Sequence, residues 1–403
     1  MNNESIAVLD LGSTKVTCLV ASSDGEGMAI DGFASVPCRG MRRGQVADMP
    51  EVSRAIREAV QKVQQDLEED IESLVIGITG AHIEGINSQG LRPIIPAGRK
   101  LTHQDVLEVI NHSRSVMIDQ DREQIQCLPR EFRVDGQRNI RQPVGMSGTK
   151  LEVLSYIATG AITSLQNVEE AVNEAGWKVE QMVIQSLASG IGVLTPEEMQ
   201  LGTAVVDIGG STTDIAIFVN GSIAFSACIP VGGSNVTSDL SQLLKTSPEE
   251  AERLKLASGA ALAERIDEKE SVEVIQLGQP VARPMQRRVL CEIIESRMRE
   301  IASLVGKKLE DSTLGTVLPG GIVLTGGGSA IKFAGQIFEA TLPRYRVRVG
   351  EPTLGTKLGH PVGMATSVGL ASFALQCFDE FSPADGIVPW RDRVKTLFSM
   401  LSR

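Results

Sequence analysis

The sequence predicts an α/β fold built twice over, as two lobes flanking a cleft. Three observations point there. The chain has 403 residues, too many for one typical hydrophobic core and enough for two lobes. Aliphatic residues and glycine dominate, with only 2 Trp and 2 Tyr, the balance expected of buried parallel strands rich in Val, Ile and Leu. Finally, one order of elements occurs once in each half: strand, Asp-x-Gly turn, strand, turn, strand, helix.

In the first copy, residues 6–10 read as a short buried strand and Leu11-Gly12-Ser13-Thr14 as a tight turn. Residues 15–21 and 28–36 are the second and third strands, with Gly25 and Gly27 breaking the chain between them. Val52, Ile56, Val60 and Val63 then recur at spacings of four and three, the period of a helix with one apolar face. In the second copy, residues 203–207 are the buried strand and Ile208-Gly209-Gly210-Ser211-Thr212 the turn. Residues 213–219 and 222–229 follow as strands joined by Asn220-Gly221, a hairpin signal, and a helix starts near Ser234. Each half also runs a later strand into glycine. Residues 73–79 end at Gly80; residues 321–325 end in Gly326-Gly327-Gly328, ahead of a helix from about Ala330.

Between Gly80 and Gly160 the chain leaves this pattern. Residues 102–117 read as an amphipathic helix with Thr102 as N-cap, and strand-like runs follow at 124–128, 131–134 and 151–159. The organisation expected is a first lobe of residues 1–80 and 161–200 carrying a small α+β insert at 81–160. A second lobe comprises 201–245 and 311–378, with an outer subdomain at 246–310. A linker at 379–389 leads to a terminal helix at 390–403.

A glycine-rich turn after a buried strand presents backbone N–H groups as a concave nest that binds phosphate. Glycine is needed because the backbone must approach the ligand closely. Gly12, Ser13, Thr14, Lys15, Gly209, Gly210, Ser211 and Thr212 are therefore candidate ligands for the phosphates of ATP, with Lys15 as a point charge for the β- or γ-phosphate. Asp10 and Asp207, at the strand ends, are candidates to hold Mg²⁺ through water, since that ion keeps several waters; Asp214 is a third. A single such Asp reads more simply as the cap of its own turn; the facing pair favours the metal. Bare backbone at Gly326, Gly327 and Gly328 can lie flat against a nucleoside, a reading that a lone glycine-rich turn would not carry. Glu252 and Lys255, three apart on one helix face, can bracket the base or ribose, or form a surface ion pair.

Composition removes other classes. A net charge of −11 argues against a general nucleic-acid binder, which needs excess Lys and Arg. The 6 Cys are scattered with no C-x-x-C pair, as reduced core cysteines are. The 4 His lack metal-ligand spacing, so no zinc site is expected. The N-terminus has no basic, apolar leader, and no run of about 18 apolar residues occurs. The expectation is a cytoplasmic protein, at most peripheral to a membrane.

These residues resemble the superfamily of actin, heat-shock chaperone and sugar-kinase ATPases. Residues 10–14 look like its first phosphate loop, 207–214 like its second and 321–329 like its adenosine motif. Within it, the sequence is most similar to the FtsA family of bacterial cell-division proteins. Gly321-Ile322-Val323-Leu324-Thr325-Gly326-Gly327 looks like that family's adenosine segment nearly verbatim, and Pro143-Val144-Gly145-Met146-Ser147-Gly148 and Ser271-Val272-Glu273-Val274 are further similar runs. The superfamily usually has a third glycine where Ser211 stands; serine is small and can donate a hydrogen bond, so binding is expected to survive. The resemblance implies an actin-like fold, ATP with Mg²⁺, and Asp10, Asp207 and Gln185 as the catalytic candidates. Gln185 lies where actin-like proteins place a water-orienting side chain, and reads equally as a structural glutamine at a helix start. The resemblance further implies an assembly protein that is at most a weak ATPase. Its insert would contact a neighbouring protomer and other division proteins, and its 245–310 subdomain would capture the C-terminal peptide of FtsZ at the division site.

Residues 379–386 form a polar, breaker-rich linker. Beyond it, Trp390, Val394, Leu397, Phe398 and Leu401 share one helical face, Arg391 and Lys395 lie opposite, and Arg393 sits at the border. A basic amphipathic helix with aromatic residues on its apolar face suits the membrane interface, each Lys or Arg near an anionic surface adding about 1 kcal/mol; a helix packed on the protein's own core is the alternative. The FtsA resemblance also implies such a membrane-targeting helix. One such helix holds weakly, and a polymer multiplies its avidity. The expected mechanism is that ATP closes the lobes, the closed form assembles head to tail through contacts that do not close a ring, and the row of tails grips the inner face of the cytoplasmic membrane. Two other readings share the fold: an FtsA-related pilus-assembly ATPase and a small-molecule kinase. No motif marks the acceptor base or sugar pocket of a kinase. About two dozen residues follow the last core helix, expected near 362–378, too few for a chaperone's substrate domain.

Overall fold

The computed structural model describes residues 4–23, 27–279, 281–315, 318–352 and 361–380. The chain opens with three antiparallel strands, β1 (Glu4–Leu11), β2 (Lys15–Ser23) and β3 (Met28–Pro37). A short ribbon of β4 (Met41–Arg42) and β5 (Gln45–Val46) leads to α1 (Met49–Leu67) and β6 (Ser73–Ile78), which pairs parallel to β1. α1 starts where Asp48 accepts a hydrogen bond from the Glu51 amide at 3.2 Å, a side-chain cap that satisfies an otherwise orphaned donor. Its expected stripe of Val52, Ile56, Val60 and Val63 is fully buried.

The insert follows as β7 (Glu84–Pro93), α2 (His103–Arg114), β8 (Arg122–Val134), β9 (Gln137–Ile140) and β10 (Lys150–Ala161), with strand order β7-β10-β8-β9 and α2 packed on β7 and β10. It has its own core, including Ile94, Val109, Phe132, Leu151 and Val153. Thr102 caps α2 in a capping box with Asp105. The helix stops at Arg114, short of the expected Met117, which is 96% exposed. The runs expected at 124–128 and 131–134 are one strand. Arg130 is bulged out between Pro129 and Glu131, and the irregularity accommodates a proline that cannot donate to the ladder. β7 escapes the sequence pattern because Gly85 and Gly90 weaken its propensity. At Gly85 the reason is a close approach: a β-carbon there would lie 1.8 Å from the Tyr156 hydroxyl.

The chain returns to the first lobe with α3 (Ile162–Ala175), β11 (Lys178–Ile184), α4 (Gln185–Val193) and α5 (Pro196–Leu201). The second lobe then repeats the plan: β12 (Thr203–Ile208), β13 (Thr213–Val219), β14 (Ser222–Ile229) and α6 (Gly233–Leu244). Asn220 (φ 55°) and Gly221 (φ 80°) make the predicted hairpin turn. An outer segment carries α7 (Pro248–Ser258), the ribbon of β15 (Ser271–Val274) and β16 (Arg283–Gln286), and the long α8 (Arg287–Asp311). β17 (Ile322–Thr325), α9 (Ala334–Thr341), β18 (Val347–Val349) and α10 (Ala365–Glu380) complete the described chain. The helix expected from Ala330 begins four residues later. Residues 327–330 form a tight 3₁₀ turn and Phe333 takes a left-handed φ of 69° before α9, so the chain is redirected after the glycines. α10 runs through Asp379 and Glu380, which the sequence assigned to the linker.

The two large sheets have one topology. The order β11-β6-β1-β2-β3 in the first lobe matches β18-β17-β12-β13-β14 in the second, with parallel and antiparallel neighbours in the same places. Each sheet ends in a helix, α4 after β11 and α10 after β18, and these two helices pack against each other at the junction of the lobes. The insert leans across to the second lobe through Tyr156 to Ser226 (2.6 Å) and the Asn87 amide to the Ala224 carbonyl (3.2 Å). Among the described residues, five cysteines are free and no helix is long and apolar enough to cross a membrane. The expected terminal helix, with Trp390, Arg391, Arg393, Val394, Lys395, Leu397, Phe398 and Leu401, lies outside the described residues.

Candidate functional site

β12 is buried along its whole length and β1 at Ile6, Val8, Leu9 and Leu11, so each brings the aspartate near its end beside its turn, Asp207 buried and Asp10 partly so. Asp10 accepts from the Gln185 amide (Nε2 to Oδ1, 2.9 Å) and from Ser367 (3.5 Å). Burial pushes its carboxyl up to about 6; Lys15 opposes the rise and Asp207 adds to it. Asp207 accepts on one oxygen, Oδ2, from Ser189 (2.5 Å) and Thr366 (2.9 Å). It too is raised by burial, against its two hydroxyl partners and Lys15. Asp214 faces Asp207 across β12 and β13 and accepts from Thr79 (2.5 Å) and Thr212 (3.2 Å). Burial raises it to about 7, opposed by the Thr79 bond, with Asp207 raising it further. Burial disfavours the charged form of a carboxylate, and a neighbouring like charge does so again.

The two turns touch. Ser211 donates to Ser13 across the lobes and accepts from the Arg43 amide at 2.9 Å. Serine at the place of a third glycine therefore fits and bridges the lobes. Lys15 donates to the Gly363 carbonyl at 3.1 Å, while its charge acts on both Asp10 and Asp207. Gly326 has φ 81° and lies so close to the second turn that a β-carbon would sit 2.1 Å from Asp207 Oδ1; only glycine permits both. Glu252 and Lys255 pair at 2.7 Å, and Lys255 also donates to Thr237 (2.9 Å) and the Gly233 carbonyl (3.2 Å). With Lys255 only 9% exposed, this is a half-buried brace between α7 and the start of α6, not a loose surface pair.

The structure thus gathers Asp10, Gly12, Ser13, Thr14 and Lys15 against Asp207, Gly209, Gly210, Ser211, Thr212 and Asp214, with Gly326 alongside and exposed Gly327 and buried Gly328 in the following 3₁₀ turn. Gln185 is the first residue of α4. Its amide also reaches the Gly77 carbonyl (3.2 Å), so here it ties Asp10 to β6. Among the described residues, no three His, Cys, Asp or Glu side chains converge as a direct metal ligand set. Sequence reading missed Ser189, Thr366, Ser367 and Thr79, the partners of the three aspartates. A signal existed for three of them. Following the repeat one element further would have paired α4 with α10 and set the Gln185/Ser189 face against Thr366 and Ser367.

Two copies of one sheet, joined at a pair of matching helices and meeting at two acidic glycine turns, define an actin-like ATPase fold. A family model described as "Cell division protein FtsA" matches residues 204–369, and one described as "SHS2 domain inserted in FTSA" matches residues 80–159. The FtsA of Pseudomonas aeruginosa is 35% identical over 92% of this chain and 89% of its own. That of Neisseria meningitidis is 36% identical over 99% and 97% respectively. The chain belongs to the FtsA family of cell-division proteins. Among solved structures it is similar to a PilM–PilN type IV pilus biogenesis complex (TM-score 0.64, 14% identity, 95% of this chain and 100% of that one). It is also similar to MreB5 of Spiroplasma citri bound to ADP (0.58, 13%, 94% and 99%). At those identities the likeness is one of fold.

Proposed function

We propose that this cell-division protein binds ATP with Mg²⁺ between its two acidic turns and assembles into filaments on the inner face of the cytoplasmic membrane at the division site. There it tethers FtsZ through that protein's C-terminal peptide and recruits later division proteins. The observation that carries the nucleotide reading is the pair Asp10 and Asp207 at equivalent strand ends, Asp207 buried and Asp10 partly so, with raised pKa values and Lys15 acting on both. Packing carboxylates this way is unfavourable alone, and a divalent cation relieves it.

The residues fit the triphosphate. Ser13, Thr14, Ser211 and Thr212 supply hydroxyls, the glycines supply backbone, and Lys15 supplies a positive charge. A phosphate between the turns accepts from Ser13 and from Ser211, whose hydroxyl now donates to Ser13, so the nucleotide bridges the two lobes. The bare backbone of residues 326–328 faces the adenosine, and the Glu252–Lys255 brace flanks it. Mg²⁺ supplies charge neutralisation for the phosphates; Gln185 and Ser367 hold Asp10 in place for it. Membrane attachment rests on the basic, apolar-faced sequence 390–403, and the FtsZ-peptide site on membership of the family, in the outer segment of the second lobe.

Calorimetry tests the cleft. The full chain is expected to bind Mg-ATP, and Asp207→Ala to abolish that binding; unchanged affinity in the variant contradicts the assignment.

A further inference from the structure

The junction helices α4 and α10 pass unusually close. A β-carbon on Gly369 would lie 1.7 Å from the Ala188 carbonyl oxygen, and one on Gly192 would lie 2.3 Å from the Ala365 carbonyl oxygen. Each helix sends one polar side chain to each aspartate. From α4, Gln185 reaches Asp10 and Ser189, one turn later on the same face, reaches Asp207. From α10, Ser367 reaches Asp10 and Thr366 reaches Asp207. Ser189 and Thr366 also lie 2.9 Å from each other, and both are buried, at 0% and 8% exposure. Two buried hydroxyls, one from each helix, thus converge on a single carboxylate oxygen.

We propose that Ser189 and Thr366 are positioning residues for Asp207: they hold its carboxylate in one rotamer and aim it at the hydrated cation of a bound Mg-nucleotide. This deepens the nucleotide reading above and rests on it. Oδ2 is occupied by both hydroxyls while Oδ1 lies against Gly326, which leaves the carboxylate little freedom to turn. The arrangement also explains the glycines, since the two hydroxyls share one oxygen only while the helices stay this close. Asp207 sits in the second lobe, Ser189 on α4, the helix that follows the first sheet, and Thr366 on α10, the helix that follows the second. A shift of either lobe relative to the junction therefore moves the aspartate's support.

The test compares ATP binding in Mg²⁺ with binding in EDTA, by calorimetry on the full chain. Partners that orient a metal-binding group typically change affinity about 10–100-fold when removed. Ser189→Ala and Thr366→Val are each expected to weaken ATP binding in Mg²⁺ about tenfold and to leave binding in EDTA unchanged. Thr366→Ser, which keeps the hydroxyl, restores the wild-type Mg²⁺ dependence. Equal loss in both media, or no loss in either, overturns the assignment, and so does failure of Thr366→Ser to restore. A wild-type chain that bound no ATP in either medium would overturn the nucleotide reading itself, and this assignment with it.

Discussion

The bond between Tyr156 and Ser226 fastens the insert to a lobe with which it shares no direct chain connection, and its removal has a calculable cost. Tyr156 is 1% exposed and Ser226 9%; their hydroxyls meet at 2.6 Å. Burial pushes the phenol up to about 12, so it is neutral at any working pH. A net hydrogen bond of this kind contributes about 0.5–1.5 kcal/mol, and a buried hydroxyl left without its partner costs about 1–3 kcal/mol. Tyr156→Phe and Ser226→Ala are therefore each expected to destabilise by about 1–2 kcal/mol. The double variant should cost little more than either one, a coupling of about 1 kcal/mol. The assay is a double-mutant cycle on urea denaturation of the full chain. Coupling below about 0.5 kcal/mol, the range of independent sites, would show that the insert is not tied to β14 by this pair in solution.

Two further tests address the insert's core and the membrane. Asp105, 1% exposed, accepts from Arg99 (2.6 Å to each oxygen), Arg92 (3.0 Å) and Thr102. The Arg99 hydrogen bond, foremost, holds its carboxyl well below the usual range. A depressed folded pKa gives stability that is complete above the unfolded value near 3.9 and is lost as pH falls below it. The thermal midpoint should therefore drop below about pH 4 in the wild type and less steeply in Asp105→Asn. At neutral pH that variant should itself be less stable by about 2 kcal/mol, after allowing for the partial exposure of both arginines; parallel pH profiles would refute the role. At the other end of the chain, Trp390→Glu removes an apolar anchor and adds a negative charge. Co-sedimentation with anionic vesicles should fall at least tenfold, and persistence of binding would contradict a membrane role for residues 390–403.

Sequence alone determined the repeat, because its evidence is local. A buried strand, an Asp-x-Gly turn and an Asn-Gly hairpin are each specified by a handful of neighbouring residues, and α1 declared itself through the spacing of Val52, Ile56, Val60 and Val63. The same local signals put Asp10 and Asp207 at their strand ends. Tertiary structure decided what those aspartates touch. Ser189 lies 18 residues from Asp207 and Thr366 lies 159 away, and Tyr156 meets Ser226 across 70; a hydrogen bond between distant residues leaves no period in the chain. β7 was hidden for a related reason. Gly85 lowers strand propensity locally, yet the space it leaves is what lets Tyr156 cross to the second lobe. The half-buried Glu252–Lys255 brace was undecided in sequence because helical spacing sets which residues share a face, whereas burial, set by how α6 and α7 pack, decides whether that face meets water.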